Sequence, residues 1–148
     1  MDFPLSLEEF NYIYSKVPRL NVEIIVKTDK GVVLTKRNIE PWKGFWHLPG
    51  GAVLMGETLE KAVERVALRE IGVRVKVDKT IGSIVYPSIK EQNNPGWPVG
   101  IAYLTHIESG ELRSSDQDDE VATFTEIPEN TIPEQYEFIL NLQKDGTL

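Results

Sequence analysis

A Pro49-Gly50-Gly51 turn is followed at fixed intervals by residues able to hold a charged ligand. Five residues separate Gly51 from Glu57 and seven separate Glu57 from Arg65; Glu70, Gly72 and Val73 come next. Paired glycines let backbone carbonyls and amides approach a ligand closely. Carboxylates supply the oxygen ligands that hard divalent cations prefer, and a guanidinium fork matches phosphate or carboxylate oxygens. Leu59, Ala62, Val63, Val66 and Ile71 recur at roughly helical spacing and Gly72 stands where a helix would stop, so Thr58 to Ile71 reads as a helix. Positions 66, 69 and 70 then share one face through i, i+3, i+4 neighbours. They carry valine, arginine and glutamate, so that patch offers one carboxylate, Glu70. Glu57, Glu60 and Glu64 with Lys61, Arg65 and Arg69 also read as a solvated helix face laced with charge pairs. The Gly-Gly loop and the long fixed spacing favour a site.

Elements on either side must position that stretch. Ser6-Leu7-Glu8-Glu9 has capping-box spacing and Phe10, Ile13, Tyr14 and Val17 form an apolar stripe behind it, predicting a helix over 7–16 that Pro18 ends. Strands are expected at 21–28 and 32–37 around an Asp29-Lys30-Gly31 turn. An aromatic loop with Trp42, Phe45 and Trp46 leads into the glycines. Beyond the helix, strands are expected at 73–77, 80–86, 99–107 and 121–127. Residues 87–98 read as a proline-flanked loop on the substrate side, 114–120 as an acidic loop, and 133–144 as a closing helix with Pro133 in its first turn. Strands around a central helix plus a terminal helix predict an α/β fold, with a mixed sheet between helical layers.

Composition bounds the class of protein. The 148 residues fit one domain, 1–148, with residues 1–20 as an N-terminal helical arm. There is no cysteine, which excludes disulfides and thiolate zinc sites and fits a cytoplasmic enzyme. No signal-peptide pattern and no membrane-spanning apolar run is present, and a net charge of −7 argues against nucleic acid as a partner. An anionic small molecule would need its cations placed locally.

The spacing resembles the box of the Nudix hydrolases, G-x5-E-x7-R-E-U-x-E-E-x-G-U, where U is aliphatic. Gly51, Glu57, Arg65, Ala67, Glu70, Gly72 and Val73 meet it; Val66 and Arg69 stand where it asks for glutamate. The resemblance implies a Nudix α/β/α sandwich with the box, 51–73, as loop–helix–loop. Within the family the chain looks most like the GDP-mannose mannosyl hydrolases, whose box lacks the same two glutamates. The strings KRNIEPWKGFWHLPGG and EEFNYIYSKVPRLNVEIIV carry that likeness.

What the resemblance implies for single residues follows from matching positions. Gly51 (backbone carbonyl), Glu70 and Gln117 would ligate one Mg²⁺ or Mn²⁺. Arg37 matches an arginine on the nucleotide diphosphate, and Arg65 the box arginine that commonly pairs with the box glutamate, here Glu57. Asp118 stands where the mannosyl hydrolases carry a histidine base, a departure, since an ordinary aspartate titrates near ~3.9 and histidine near ~6.5. The run 116–120 also reads as a solvated loop. Glu23 matches an acidic residue near the sugar, or alternation simply points it to solvent. Trp97, like Trp42 and Trp46, either stacks on base or sugar or lids a core. His47 and His106 have no ligand-like or triad spacing.

The expectation is therefore a Mg²⁺-dependent hydrolase of a nucleoside diphosphate joined to another group, favouring a nucleotide sugar cleaved at the glycosyl carbon, with a homodimer implied by the resemblance. The alternatives are pyrophosphate cleavage of ADP-ribose or nucleoside triphosphates, and a catalytically weak domain that binds a nucleotide.

Overall fold

The computed structural model describes residues 3–116 and 118–148. Its strands are β1 (Arg19–Thr28), β2 (Gly31–Arg37), β3 (Trp46–His47), β4 (Gly50–Ala52), β5 (Val73–Val85), β6 (Pro98–Gly110) and β7 (Asp118–Phe124). Its helices are α1 (Leu7–Tyr14), α2 (Leu59–Ile71) and α3 (Pro133–Lys144), with a 3-10 turn at Pro87–Gln92.

The seven strands form one mixed sheet of order β3-β2-β1-β6-β5, with β4 added on β1 and β7 on β2. β1 pairs with β6 in parallel from Arg19 to Val26, and β6 pairs antiparallel with β5. The other edge of β1 is shared. Its last residues pair with β2 (Lys27 with Val32, Thr28 with Gly31), while Asn21 to Glu23 pair with Ala52 to Gly50 of β4. The Ile24 N–H donates to the Pro49 carbonyl at 2.8 Å, where the sheet forks. That fork inserts the Gly50-Gly51 backbone beside β1.

Side-chain alternation along β1 assigns the two faces. Val22, Ile24 and Val26 join Ala62, Val63, Val66, Ala67 and Ile71 of α2 in one core; Ile25 joins Ile139 and Leu142 of α3 in the other. The sheet thus lies between α2 and α3, the expected sandwich. Thr58 caps α2 by accepting from the Lys61 N–H, and Gly72 ends it in the left-handed region at φ 74°.

The structure departs from the sequence expectations in several places, and β6 runs on to Gly110 where a strand over 99–107 was expected. β5 is one strand of 13 residues, because pairing with β6 runs its full length and register shifts absorb the irregularities. β7 begins at Asp118, inside the expected acidic loop, because Lys36 and Arg37 of β2 pair with Glu120 and Asp118, and it ends at Phe124. Short β3 and β4 lie in a stretch read as loop. The expected loop 87–98 contains the 3-10 turn. α1 has its capping box but ends at Tyr14, no residue of it is buried, and β1 begins within the segment read as the arm.

Candidate active site

A cavity of about 600 Å³ opens where the sheet forks, walled by α1, β1, the glycine strand, α2 and the 3-10 turn. On the α2 wall Arg65 donates from Nε to Glu57 Oε2 at 2.7 Å, and from Nη2 to Glu57 Oε1 at 3.0 Å and the Ala52 carbonyl at 2.8 Å. The Leu54 N–H also donates to Glu57 at 3.0 Å. This fork–carboxylate pair holds Glu57 below the ordinary carboxylate range and pins the glycine loop to α2. The expected Glu57–Arg65 pairing is present.

The two departures from the box have physical consequences. Val66 is 2% exposed in the α2 core, and a Cβ on Gly51 would stand 3.2 Å from its Cγ2. A glutamate at 66 would put a charge beneath the glycine strand. Arg69 is exposed and lines the cavity beside Glu70. Glu70 is half-buried and lines the cavity too; burial first, then the charge of Asp118, push its carboxyl above its usual range.

Asp118 lies in β7 at 4% exposure, behind the cavity wall. The Ser115 hydroxyl lies between the two acids, 3.2 Å from Glu70 Oε2 and 3.3 Å from Asp118 Oδ2, and can donate its one hydrogen to either. The other oxygen, Oδ1, is 3.0 Å from Nε2 of His47, a residue that sequence spacing had passed over. The His47 Nδ1 is 2.7 Å from the Leu48 carbonyl oxygen, an acceptor only, so Nδ1 carries a hydrogen. Nε2 faces both that Asp118 oxygen and Thr35 Oγ1, the latter at 2.9 Å. His47 was missed because its partner is 71 residues away and no local spacing announces it.

Arg37, at the end of β2, donates from Nε to the Pro41 carbonyl at 2.7 Å and makes no ion pair among the described residues. Burial lowers its pKa, opposed by the charges of Asp118, Glu70 and Glu40 in that order.

Odd-numbered residues of β1, Arg19, Asn21 and Glu23, line the cavity from below. Glu23 is 4% exposed, in a slot that Gly50 and Gly100 keep open: a Cβ on either would come within 2.6 Å of its carboxyl or stem. The Tyr86 hydroxyl donates to Glu23 Oε1 at 2.9 Å and accepts from Gln135 Nε2 at 2.9 Å, while Gln135 Oε1 accepts from the Leu48 N–H at 2.6 Å. Burial pushes the Glu23 carboxyl up to about 7, against the pull of Tyr86 and Arg19. Glu23 does not point to solvent.

The cavity therefore gathers Glu23, Arg37, Gly51, Arg65 and Glu70, with Asp118 just behind. Trp97 is not part of its wall; the Lys90 ammonium sits 5.9 Å from that ring, and Trp42 takes the lining position. Gln117 lies outside the described residues. Among the described residues no three His, Asp or Glu side chains converge as a complete cation site. What is present, a desolvated Glu70 facing a second acid through a hydroxyl, is a hard-oxygen set with excess negative charge that suits one divalent cation.

The NUDIX domain family model matches residues 17–142, and the chain belongs to this family, the Nudix hydrolases. It is 36% identical over 107 residues to an ADP-ribose pyrophosphatase of Methanocaldococcus jannaschii, covering 72% of this chain and 62% of that protein. It is 38% identical over 76 residues to the low-salt glycan biosynthesis protein Agl8 of Haloferax volcanii, covering 51% of this chain and 49% of that one. The chain thus spans less than two thirds of either relative. The crystal structure of a MutT Nudix hydrolase from Burkholderia pseudomallei superposes with a TM-score of 0.74 at 26% identity, covering 82% of this chain and 95% of that one. Nudix hydrolases generally use divalent metals and act on small nucleotide substrates.

Proposed function

We propose that this protein hydrolyses a nucleoside diphosphate joined to a sugar, breaking the bond at the glycosyl carbon and releasing free sugar and nucleoside diphosphate. The observation that carries the reading is the single carboxylate left on the α2 face: Val66 is core, Arg69 is a cation, and Glu70 alone remains. Attack at phosphorus draws on several cations held by a full box, whereas substitution at carbon needs only the departing diphosphate neutralised. Glu70 and the Gly51 carbonyl, with Gln117, would hold one divalent cation, Mg²⁺ or Mn²⁺, whose chemistry is to neutralise diphosphate charge.

The protein's own groups do the rest. The Arg37 fork binds the leaving diphosphate and stabilises charge as it builds. Arg65 and Glu57 hold the glycine loop in place. Glu23 borders the sugar end. Water attacks the sugar carbon on the far side from the diphosphate, and Asp118 is the assigned acceptor of its proton.

The M. jannaschii relative supports a second reading, cleavage between the phosphates of ADP-ribose. Turnover with Mg²⁺ across nucleotide sugars, ADP-ribose and nucleoside triphosphates tests both. Preference for nucleotide sugars supports the proposal; preference for ADP-ribose moves the protein to the second reading. No turnover, with nucleotide still bound, makes it a binding domain.

A further inference from the structure

Arg19 has no role in the reading above. It opens β1 on the face that carries Asn21 and Glu23, and it lines the cavity. Its Nε donates to Asn21 Oδ1 at 3.2 Å and its backbone N–H to the Trp97 carbonyl at 3.0 Å. Its guanidinium carbon stands 5.1 Å from the Phe10 ring centroid and 5.7 Å from that of Tyr14. Among the described residues no acceptor meets its two terminal nitrogens and no carboxylate pairs with it; Glu23, the acid acting on it, takes the Tyr86 hydroxyl instead.

Burial works against its charge, and so does Arg37 across the cavity. Two guanidinium groups are thus tethered through Nε, one to Asn21 and one to Pro41, and among the described residues neither is ion-paired. Holding like charges together in a desolvated space is unfavourable unless an anion joins them. The terminal nitrogens of a guanidinium form a planar fork that matches phosphate oxygens. Arg65, by contrast, spends its fork on Glu57.

We propose that Arg19 is a phosphate-binding residue of the cavity, acting with Arg37 as a two-arginine clamp on the diphosphate of the ligand. This rests on the reading of Arg37 as a diphosphate contact. The rings of Phe10 and Tyr14 lie against the Arg19 group, and its tether to Asn21 sets its position. The clamp accounts for a half-buried cation that the box pattern does not contain.

Calorimetric titration of ADP, GDP and inorganic pyrophosphate in EDTA tests this without turnover or metal. Arg19→Gln is expected to weaken the nucleoside diphosphates and pyrophosphate about tenfold or more, the worth of a charge-assisted hydrogen bond, and to leave adenosine and guanosine unchanged. Tyr14→Leu, which removes a ring from beneath the guanidinium and does not line the cavity, should change diphosphate affinity less than threefold. Equal diphosphate affinity in the Arg19→Gln and parent proteins overturns the clamp. So does a loss in Tyr14→Leu as large as in Arg19→Gln, which would make the cation a strut for α1. If Arg37→Gln binds diphosphate as the parent does, the underlying reading of Arg37 fails; if it loses affinity and Arg19→Gln does not, only the clamp fails.

Discussion

Arg65 and Arg37 line the same cavity and are used in opposite ways. Arg65 donates three hydrogen bonds, two of them to Glu57, so its charge is answered within the fold. Among the described residues Arg37 spends only Nε, on a carbonyl, and its fork meets no acceptor. The first arrangement stabilises a loop; the second leaves desolvated charge that a diphosphate can answer. A box residue can therefore be architecture, while the proposed ligand contact falls to a residue outside the box.

Several changes break or sharpen that contrast. The largest effect is expected at the acid the cations face: Glu70→Gln should abolish metal-dependent turnover, and metal titration of the parent should count one tight site. Several tight sites on the helix would contradict the reading. Asp118→Asn should lower kcat by roughly 10²–10⁴-fold, the range of general-base catalysis, with nucleotide binding retained; unchanged kcat would remove Asp118 from the mechanism. Arg37→Gln should lower kcat/KM by about 10²–10³-fold, as for a lost transition-state donor, without lowering the temperature of thermal unfolding.

The remaining effects fall on stability. The Glu23 carboxyl is held at about 7 in the fold against an ordinary 4.5, so the folded chain binds the extra proton between those values. That stabilisation is fully present below pH 4.5 and is lost as pH rises through 7. Denaturant unfolding should therefore show Glu23→Gln gaining on the parent by on the order of 3 kcal/mol between pH 5 and pH 8.5. A constant difference would mean the carboxyl titrates normally. Arg65→Gln should cost about 1–3 kcal/mol of stability by the same method, with a smaller effect on kcat/KM than Arg37→Gln. The reverse ranking would erase the distinction between the two arginines.

The sandwich was legible because its signals are local: helical spacing and a stop glycine in α2, a capping box before α1, alternation along β1. Features that depend on partners far along the chain were not. β7 hid its first residues behind a run of acids, because only pairing with Lys36 and Arg37 of β2 makes Asp118 to Glu120 a strand. Continuous pairing with β6 joined what read as two strands into β5. At the site, Glu57, Arg65 and Glu70 follow from spacing, whereas His47 and Arg19 look ordinary until the fold sets one against Asp118 and the other against two rings. Trp97 drew notice as an aromatic in a proline-rich loop, yet Trp42, at φ 66° and 7% exposed, takes the cavity position.

The most direct test of cleavage at the glycosyl carbon is to run the reaction in heavy-oxygen water with a nucleotide sugar and weigh the products. Label in the released sugar, with an unlabelled nucleoside diphosphate, is the predicted result. Label in a phosphate product would show attack at phosphorus and return the protein to pyrophosphate cleavage despite the single carboxylate at positions 66, 69 and 70.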